Sequence, residues 1–372
     1  MIDYQNIEVT ILNPFEERMR QTQQSPMWHA EGDVYTHTMM VVEALKALPE
    51  YQQLNERQQH ILTIAALLHD IGKIPTTALI DGDWSSPHHA PTGSRMDREV
   101  LWKDYDMCGK KELMQIRETI CLLIRYHSFP PHAIDLEDCK LRLHRIASNG
   151  ILAPDFTIRM LSILCKADML GRKCNDQQQM LDQIALCEEL AKEEGCYDGC
   201  YPFKTDVVRR AYLSGQDVWK EQELYDETWG EVILMSGLPG TGKDTWICSN
   251  LPDLPMISLD NIRREQKISP KADQGFIANL AREQAKEYLR RHQPFVWNAT
   301  NITTQMRESL INLFETYHAS VRIVYLETDW KTQQERNHQR DAIVPQDAIE
   351  GMLGKMTLPE AFEARKVEWI CV

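Results

Sequence analysis

Through the first 194 residues, apolar side chains recur at intervals of three and four. The segments 34–48, 59–68, 112–126, 157–169 and 180–193 carry this spacing and predict helices. Strand-like runs are nearly absent before residue 230, so this part reads as all-α. The stretch 195–229 is rich in Gly, aromatics and charge and carries one short helical pattern at 206–213, which suits a connector. After Gly230 the texture changes. The apolar runs 231–235, 255–259, 295–298 and 321–326 predict buried strands, and the intervening patterns at 243–250, 275–292 and 304–318 predict helices. Strands alternating with helices imply a parallel sheet covered on both faces. The expected organisation is two domains: helical 1–194, connector 195–229, and an α/β domain over 230–372.

Composition adds limits. The chain of 372 residues is 43% apolar and 26% charged, as folded globular proteins are, and no apolar run approaches the length of a membrane helix. The first residues lack a basic stretch followed by an apolar one, so no secretory signal is expected. The 10 cysteines fall without paired spacing and read as reduced thiols of a cytoplasmic protein. Net charge is −14, which disfavours nonspecific binding along nucleic acid and confines such contact to an end or a cleft. Residues 230–372 carry only −2 of this, so polyanion binding is expected there.

The segment Gly237-Leu-Pro-Gly240-Thr241-Gly242-Lys243 lies between a predicted strand and a predicted helix. Glycines there let backbone N–H groups curl around phosphates, and the helix N-terminus adds favourable partial charge. Lys243 would reach the β- and γ-phosphates. Where such loops place Ser or Thr, this chain has Asp244 and then Thr245; a carboxylate is also a good Mg²⁺ ligand. Ser258-Leu-Asp260-Asn-Ile-Arg263 follows the second strand. A carboxylate there can take a proton from an acceptor hydroxyl, and an arginine three residues on can hold an acceptor phosphate. Asn298-Ala-Thr-Asn301 follows the third strand. Arg336 and Arg340, four apart, are expected on one helix face as a lid over the transferring phosphoryl.

These residues resemble the polynucleotide 5′-kinase branch of the phosphate-loop phosphotransferases. The resemblance implies that Lys243 binds the donor and Asp260 is general base on a 5′-hydroxyl. Arg263 would hold the neighbouring phosphate, and Arg336 and Arg340 would serve as lid arginines, followed by a fitting Val344-Pro345. A phage member of that branch has Asp where this chain has Ala299, so Arg263 would be held differently here.

The helical part carries His37, then His69-Asp70 followed by Ile-Gly72-Lys73, His89 in an HxxxG spacing to Gly93, His127, and Asp168. An adjacent His-Asp pair can give two ligands to one metal or let the carboxylate bridge two, with other helices supplying the rest. The ordered set resembles the HD metal-dependent phosphohydrolase superfamily, closest to HD domains of RNA-end enzymes. The resemblance places His37, His69, Asp70 and Asp168 on one metal, and Asp70, His89 and His127 on a second. Lys73 would neutralise phosphate charge. His88 rivals His89, and His132 is a rival at the second metal; His29 and His144 read as structural or surface. Cys196 and Cys200, with Cys174 and Cys187 nearby, offer a weak zinc pattern, and the connector aromatics read as residues that glue the two domains together rather than stack on bases.

The order of the two parts resembles the bacterial HD-domain polynucleotide kinases, and the Gly-Lys-Asp-Thr loop fits that family. The resemblance implies RNA end healing: ATP or GTP with Mg²⁺ phosphorylates a 5′-OH end, and the HD domain, with one or two divalent transition metals, removes a 2′,3′-cyclic, 2′- or 3′-phosphate. RNA or DNA ends and a downstream RNA ligase are the implied partners, without a membrane, and a homo-oligomer is compatible. Two other readings stay open: a nucleotide phosphohydrolase fused to a small-molecule kinase, and an HD module that docks RNA without catalysis.

Overall fold

The computed structural model describes residues 2–268, 274–340 and 342–372. It divides into two compact units, one formed by 1–107 and 112–202, the other by 108–111 and 203–372. No helix among the described residues is long and apolar enough to cross a membrane.

The first unit is a helical assembly. Its main helices are α1 (Val34–Ala47), α2 (Glu56–Leu68), α3 (His89–Lys103), α4 (Lys111–Tyr126), α5 (Ile158–Leu170) and α6 (Gln177–Glu193). Helix α2 is the centre: Ile61 to Leu68 are all buried, so this stretch has no solvent face. It starts at Glu56, three residues before the expected segment 59–68, because Asn55 and Gln58 form a capping box, a polar first turn that apolar spacing cannot reveal. Helix α3 has no counterpart in the apolar pattern. Its buried face is built from Ala90, Gly93, Ser94, Asp97, Arg98, Leu101 and Trp102, largely polar positions.

This unit also contains a small antiparallel hairpin, Ala78–Ile80 paired with Asp83–Ser85, where strand character was not expected. Its turn is Asp81-Gly82, both with positive φ (52° and 89°), the backbone a tight two-residue hairpin requires.

The second unit is α/β. Strands β1 (Glu231–Ser236), β2 (Met256–Ser258), β3 (Val296–Asn298), β4 (Ser320–Glu327) and β5 (Lys366–Cys371) form one parallel sheet in the order β2-β3-β1-β4-β5. Between them run α7 (Lys243–Asn250), α8 (Leu259–Glu265), α9 (Gln274–Arg290), α10 (Thr304–Thr316), α11 (Trp330–His338) and α12 (Gln346–Leu353). Both faces of the sheet are covered. Val232, Leu234 and Trp297 pack with Ile277, Ala281, Leu310 and Phe314 on one side. Ile233, Met235, Val296 and Val324 pack with Ile247 on the other. Side chains alternate faces along a strand, so a strand buried on both sides reads as a continuous apolar run, as Glu231–Met235 does.

Three expectations are corrected here. The run 255–259 is not all strand: Leu259 already opens α8, capped by the Ser258 side chain. Strand β5 was not anticipated, because its half-exposed KVEWIC segment lacks a buried run. Helix α11 ends at His338, so Arg336 lies in its last turn while Arg340 lies beyond its C-cap; they do not share a helix face. Among the connector aromatics, Trp219 and Tyr225 are exposed and pack in no core, whereas Trp229 donates its indole N–H to Tyr317 O.

Candidate functional sites

Five elements of the first unit converge on Asp70. Helix α1 supplies His37, the end of α2 supplies His69 and Asp70, the first residue of α3 is His89, the turn after α4 supplies His127, and α5 supplies Asp168. His37 Nε2 lies 3.1 Å from Asp168 Oδ1, 3.5 Å from Asp70 Oδ2 and 3.3 Å from His69 Nε2. On the other side of the same carboxylate, His89 Nε2 lies 3.6 Å from Asp70 Oδ1 and 3.2 Å from His127 Nε2. All are buried except His89, which is half-buried. Two three-residue clusters therefore share Asp70: His37, His69 and Asp70, and Asp70, His89 and His127.

The imidazoles are pre-aligned from behind. Nδ1 of His69 donates to Ala66 O, that of His89 to Ser86 O and that of His127 to Ile124 O. His37 Nδ1 sits 2.9 Å from Glu31 Oε1. Each ring thus turns its Nε2 lone pair inward, the arrangement that metal-ligating histidines take from their outer partners. Asp70 is held by the Lys73 ammonium as an ion pair, and neither of its oxygens meets hydrogen-bond geometry. A buried, ionised carboxylate faced by four imidazole nitrogens is a donor set that suits divalent transition metals.

Electrostatics agree. Burial opposes ionisation of Asp70, but Lys73, whose Nζ is 2.7 Å from Oδ2, and His69 outweigh it and hold the carboxyl well below its ordinary range. Burial similarly opposes Asp168, and Arg172, bidentate at 3.1 and 2.7 Å, outweighs it. Burial, with neighbouring imidazoles, pushes His127 down to about 3, so this ring is neutral and able to ligate. For His69 burial acts downward, but the Asp70 and Asp168 carboxylates raise it overall.

The position of His89 depends on a close backbone approach. A Cβ on Gly72 would stand 2.1 Å from His89 O and 2.5 Å from Gly93 N. The HxxxG spacing thus marks the place where α3 lies against the loop following Asp70. His88 is exposed, in a left-handed conformation (φ 58°) as N-cap of α3, and His132 is exposed. His144 is buried and paired with Glu194 at 3.2 Å. Cys174, Cys187, Cys196 and Cys200 belong to none of the ligand clusters found among the described residues.

Sequence reasoning took His29 as structural or surface and missed Glu31 and Gln24 beside it. His29, buried and pushed down to about 4 mainly by that burial, faces Glu31, which bridges His29 and His37. Gln24 accepts from Lys73 Nζ at 2.7 Å. These residues lie on an irregular loop, where no periodicity signals a role. Arg172 was detectable in principle as an i,i+4 partner of Asp168.

In the second unit, the phosphate loop joins β1 to α7. Gly237, Gly240 and Gly242 all have positive φ (138°, 81° and 85°), and a Cβ on Gly237 would meet Leu326 O at 2.4 Å. Lys243 Nζ donates to Gly237 O and Leu238 O at 2.9 and 2.8 Å. Burial, with Arg340 acting in the same direction against Asp244, lowers Lys243 to about 8. Thr241 is buried and its hydroxyl donates to Leu238 O, a bond internal to the loop, while Asp244 and Thr245 are exposed on α7.

The Asn298–Asn301 segment braces this loop. Asn298 Nδ2 donates to Asp244 Oδ1, Gly237 N to Thr300 O at 2.9 Å, and Asn301 Nδ2 to Met235 O at 2.7 Å. Asp260, in the first turn of α8, accepts from Arg263 NH1 at 2.6 Å and lies 3.5 Å from Arg340 NH2. Arg336 NH1 stands 3.2 Å from where a Gly242 Cβ would be. Thus Lys243, Asp244, Asp260, Arg263, Arg336 and Arg340 meet at the C-terminal edge of the sheet, where open α/β folds bind ligands. Gln333, unnoticed in the sequence, donates to Pro239 O at 2.6 Å and holds the loop from α11.

Comparison with protein families is consistent with both sites. Residues 34–144 match the HD domain, and residues 232–359 match an AAA domain, a kinase-like phosphate-loop module. The first match spans His37 to His127 and the second spans the loop and Asp260 to Arg340. The chain is therefore an HD phosphohydrolase-type domain followed by a P-loop kinase-type domain, the fusion that its motifs resemble.

Proposed function

We propose that the protein heals RNA ends, phosphorylating a 5′-hydroxyl at the phosphate loop and removing a 2′,3′-cyclic, 2′- or 3′-phosphate at the His/Asp site. The observation that carries this reading is the Asp260–Arg263 pair beside Lys243. Asp260 is exposed, so an incoming hydroxyl can reach it as general base. Arg263, 2.6 Å away, offers a guanidinium to a phosphate next to that hydroxyl, which a polynucleotide end has and most small acceptors lack. Lys243 and the loop N–H groups hold ATP or GTP, Asp244 supplies oxygen to Mg²⁺, and Arg336 and Arg340 face the charge of the moving phosphoryl.

At the other site, His37, His69, Asp70 and Asp168 would hold one divalent metal, and Asp70, His89 and His127 a second. Such ions, when bound, supply Lewis-acid polarisation of the phosphate and activation of water. Lys73 balances negative charge beside Asp70, and Arg172 fixes Asp168. The products, a 5′-phosphate and a freed 3′ end, are what an RNA ligase joins.

The test is one RNA carrying a 5′-OH and a 2′,3′-cyclic phosphate, incubated with triphosphate, Mg²⁺ and a transition metal. Asp70→Ala should abolish 3′-end processing and spare 5′ phosphorylation. Asp260→Ala should lower the kinase by ~10²–10⁴ and spare the 3′ end; Lys243→Ala should act on the kinase likewise. Kinase activity retained by Asp260→Ala on this RNA would refute the assignment and return the small-molecule reading. Loss of both activities in a folded Asp70→Ala protein would refute separate sites.

A further inference from the structure

Two exposed apolar segments rim the His/Asp site, and the chemistry described so far uses neither. The first is the loop 24–32, closed at its base by the antiparallel bridge between Gln23 and Asp33. Its inner side grips the site through Gln24 on Lys73, through Glu31 on His37, and through the His29 ring, edge-on to His37 at 4.7 Å. Its outer side carries Met27 and Trp28, 66% and 47% exposed.

The second segment is the hairpin 78–85. It is anchored on the His89 side, where Ser86 O accepts from His89 Nδ1 and the Thr77 and Ser86 hydroxyls meet at 2.7 Å. Leu79 and Trp84 are directly opposite in its register and therefore share a face. They are 60% and 38% exposed. Ser25 Oγ donates to Asp83 Oδ2 at 2.6 Å and ties the two segments together.

An isolated two-stranded hairpin is marginal in water, so an outward Leu–Trp pair does little to hold it. Exposed aromatics gathered beside a phosphate site instead have the character of a binding surface. Positive charge lies next to them. Ala30 N donates to Lys173 O, and Lys173 lines a cavity of about 430 Å³ with Pro26, Met27, Ala30, Cys174 and Asn175. Two aromatic rings beside one lysine suit a single-stranded end, whose unpaired bases offer π-faces while its backbone offers phosphates; with Glu31, Asp81 and Asp83 in the same segments, stacking rather than charge supplies the main attraction. In a duplex those faces are already occupied.

Resting on the end-healing reading, we propose that Trp28 and Trp84 form a stacking platform for the last bases of a single-stranded polynucleotide 3′ end, with Lys173 on its backbone and its terminal phosphate in the His/Asp site. The platform would make the 3′-end chemistry selective for polymer over mononucleotide.

The experiment uses the full metal-loaded chain with Trp28→Ala, Trp84→Ala and the double variant. Each is assayed on a single-stranded oligonucleotide 2′,3′-cyclic phosphate and on glycerol 1,2-cyclic phosphate, which has neither base nor aromatic ring, with circular dichroism confirming folding. Each ring removed should raise KM for the oligonucleotide roughly 5- to 150-fold, the range for base–aromatic stacking. Hydrolysis of glycerol 1,2-cyclic phosphate should hold within about twofold, and Trp→Phe should restore most of the affinity. Unchanged KM, or an equal loss on the baseless substrate, would overturn the platform. So would a wild-type dimer that the double variant turns into monomers with oligonucleotide KM unaltered, which would assign the face to a second copy. A wild-type protein that cleaves glycerol 1,2-cyclic phosphate but no polynucleotide end would instead refute the end-healing reading, and the platform with it.

Discussion

Binding of a nucleoside triphosphate to the phosphate loop should draw protons from solution above pH 7, and Lys243 is the reason. In the ligand-free loop, burial lowers this ammonium to about 8, and its N–H groups are spent on the carbonyls of Gly237 and Leu238. A bound triphosphate replaces those carbonyls with anionic oxygens, which return the lysine to its charged form across the accessible range. The uptake equals the fraction deprotonated beforehand: about 0.1 proton at pH 7, 0.5 at pH 8 and 0.9 at pH 9. Calorimetric titrations at each pH, in two buffers of different ionisation enthalpy, give this number from the difference in heats. The Mg²⁺ complex of the triphosphate titrates below this window and adds little above pH 8. Lys243→Arg keeps the charge and should remove the pH-dependent uptake. A flat uptake near zero at pH 9 in the wild type, or an undiminished one in Lys243→Arg, would refute the reasoning. The sign for stability follows from the same shift. The unfolded lysine, near 10.5, holds its proton more tightly than the folded one, so ligand-free stability rises as pH climbs from about 8 to 10.5.

Other expectations concern the helical unit. Glu31→Ala removes the carboxylate behind His37 and should weaken metal binding about 10- to 100-fold, read by competition with a chromogenic chelator. Chelation should stop 3′-end processing, with Mn²⁺, Co²⁺ or Zn²⁺ restoring it and Mg²⁺ failing to, because the site offers imidazole nitrogen; restoration by Mg²⁺ alone would contradict the ligand assignment. Asp97 is fully buried with no hydrogen bond to either oxygen, and burial raises its carboxyl well above the ordinary range. The folded state therefore binds the proton more tightly, and stability is lost as pH rises from the ordinary carboxylate range up through the folded value. Asp97→Asn should be more stable than wild type at pH 8 and gain less at pH 5, as denaturant melts would show.

The large features could be read from the chain because they rest on local physics. A strand, a glycine-rich loop and a helix are contiguous in sequence, so the phosphate site was visible at once, and four of the five strands around it gave themselves away as apolar runs while the half-exposed β5 did not. The histidines were visible only as an ordered set, since their convergence on Asp70 depends on packing among α1, α2, α3, α4 and α5. Helix α3 escaped notice because it buries Ser94, Asp97 and Arg98 rather than an apolar stripe. The Asp81-Gly82 turn was a readable hairpin signal that short, exposed strands obscured. Glu31, His29 and Gln333 carry no pattern at all: what they do is decided by elements distant in sequence.

The contact between Gly72 and Gly93 bears on how the site would exchange its ions. With no side chain between them, the loop after Asp70 and the start of α3 touch backbone to backbone, and the five-element cage is closed by packing, by carbonyl bonds to its imidazoles and by the Lys73 and Arg172 ion pairs. A cage held by the fold's own contacts is expected to persist when its ions are removed. The protein then differs from small zinc modules, which unfold when stripped. A chelator should empty it reversibly, leaving the far-ultraviolet circular dichroism unchanged, and one preparation could be loaded with one ion after another. Metal identity in the cell would then follow supply rather than folding, and any hydrolysis at the His/Asp site would track the available metal while a Mg²⁺-fed phosphate loop would not.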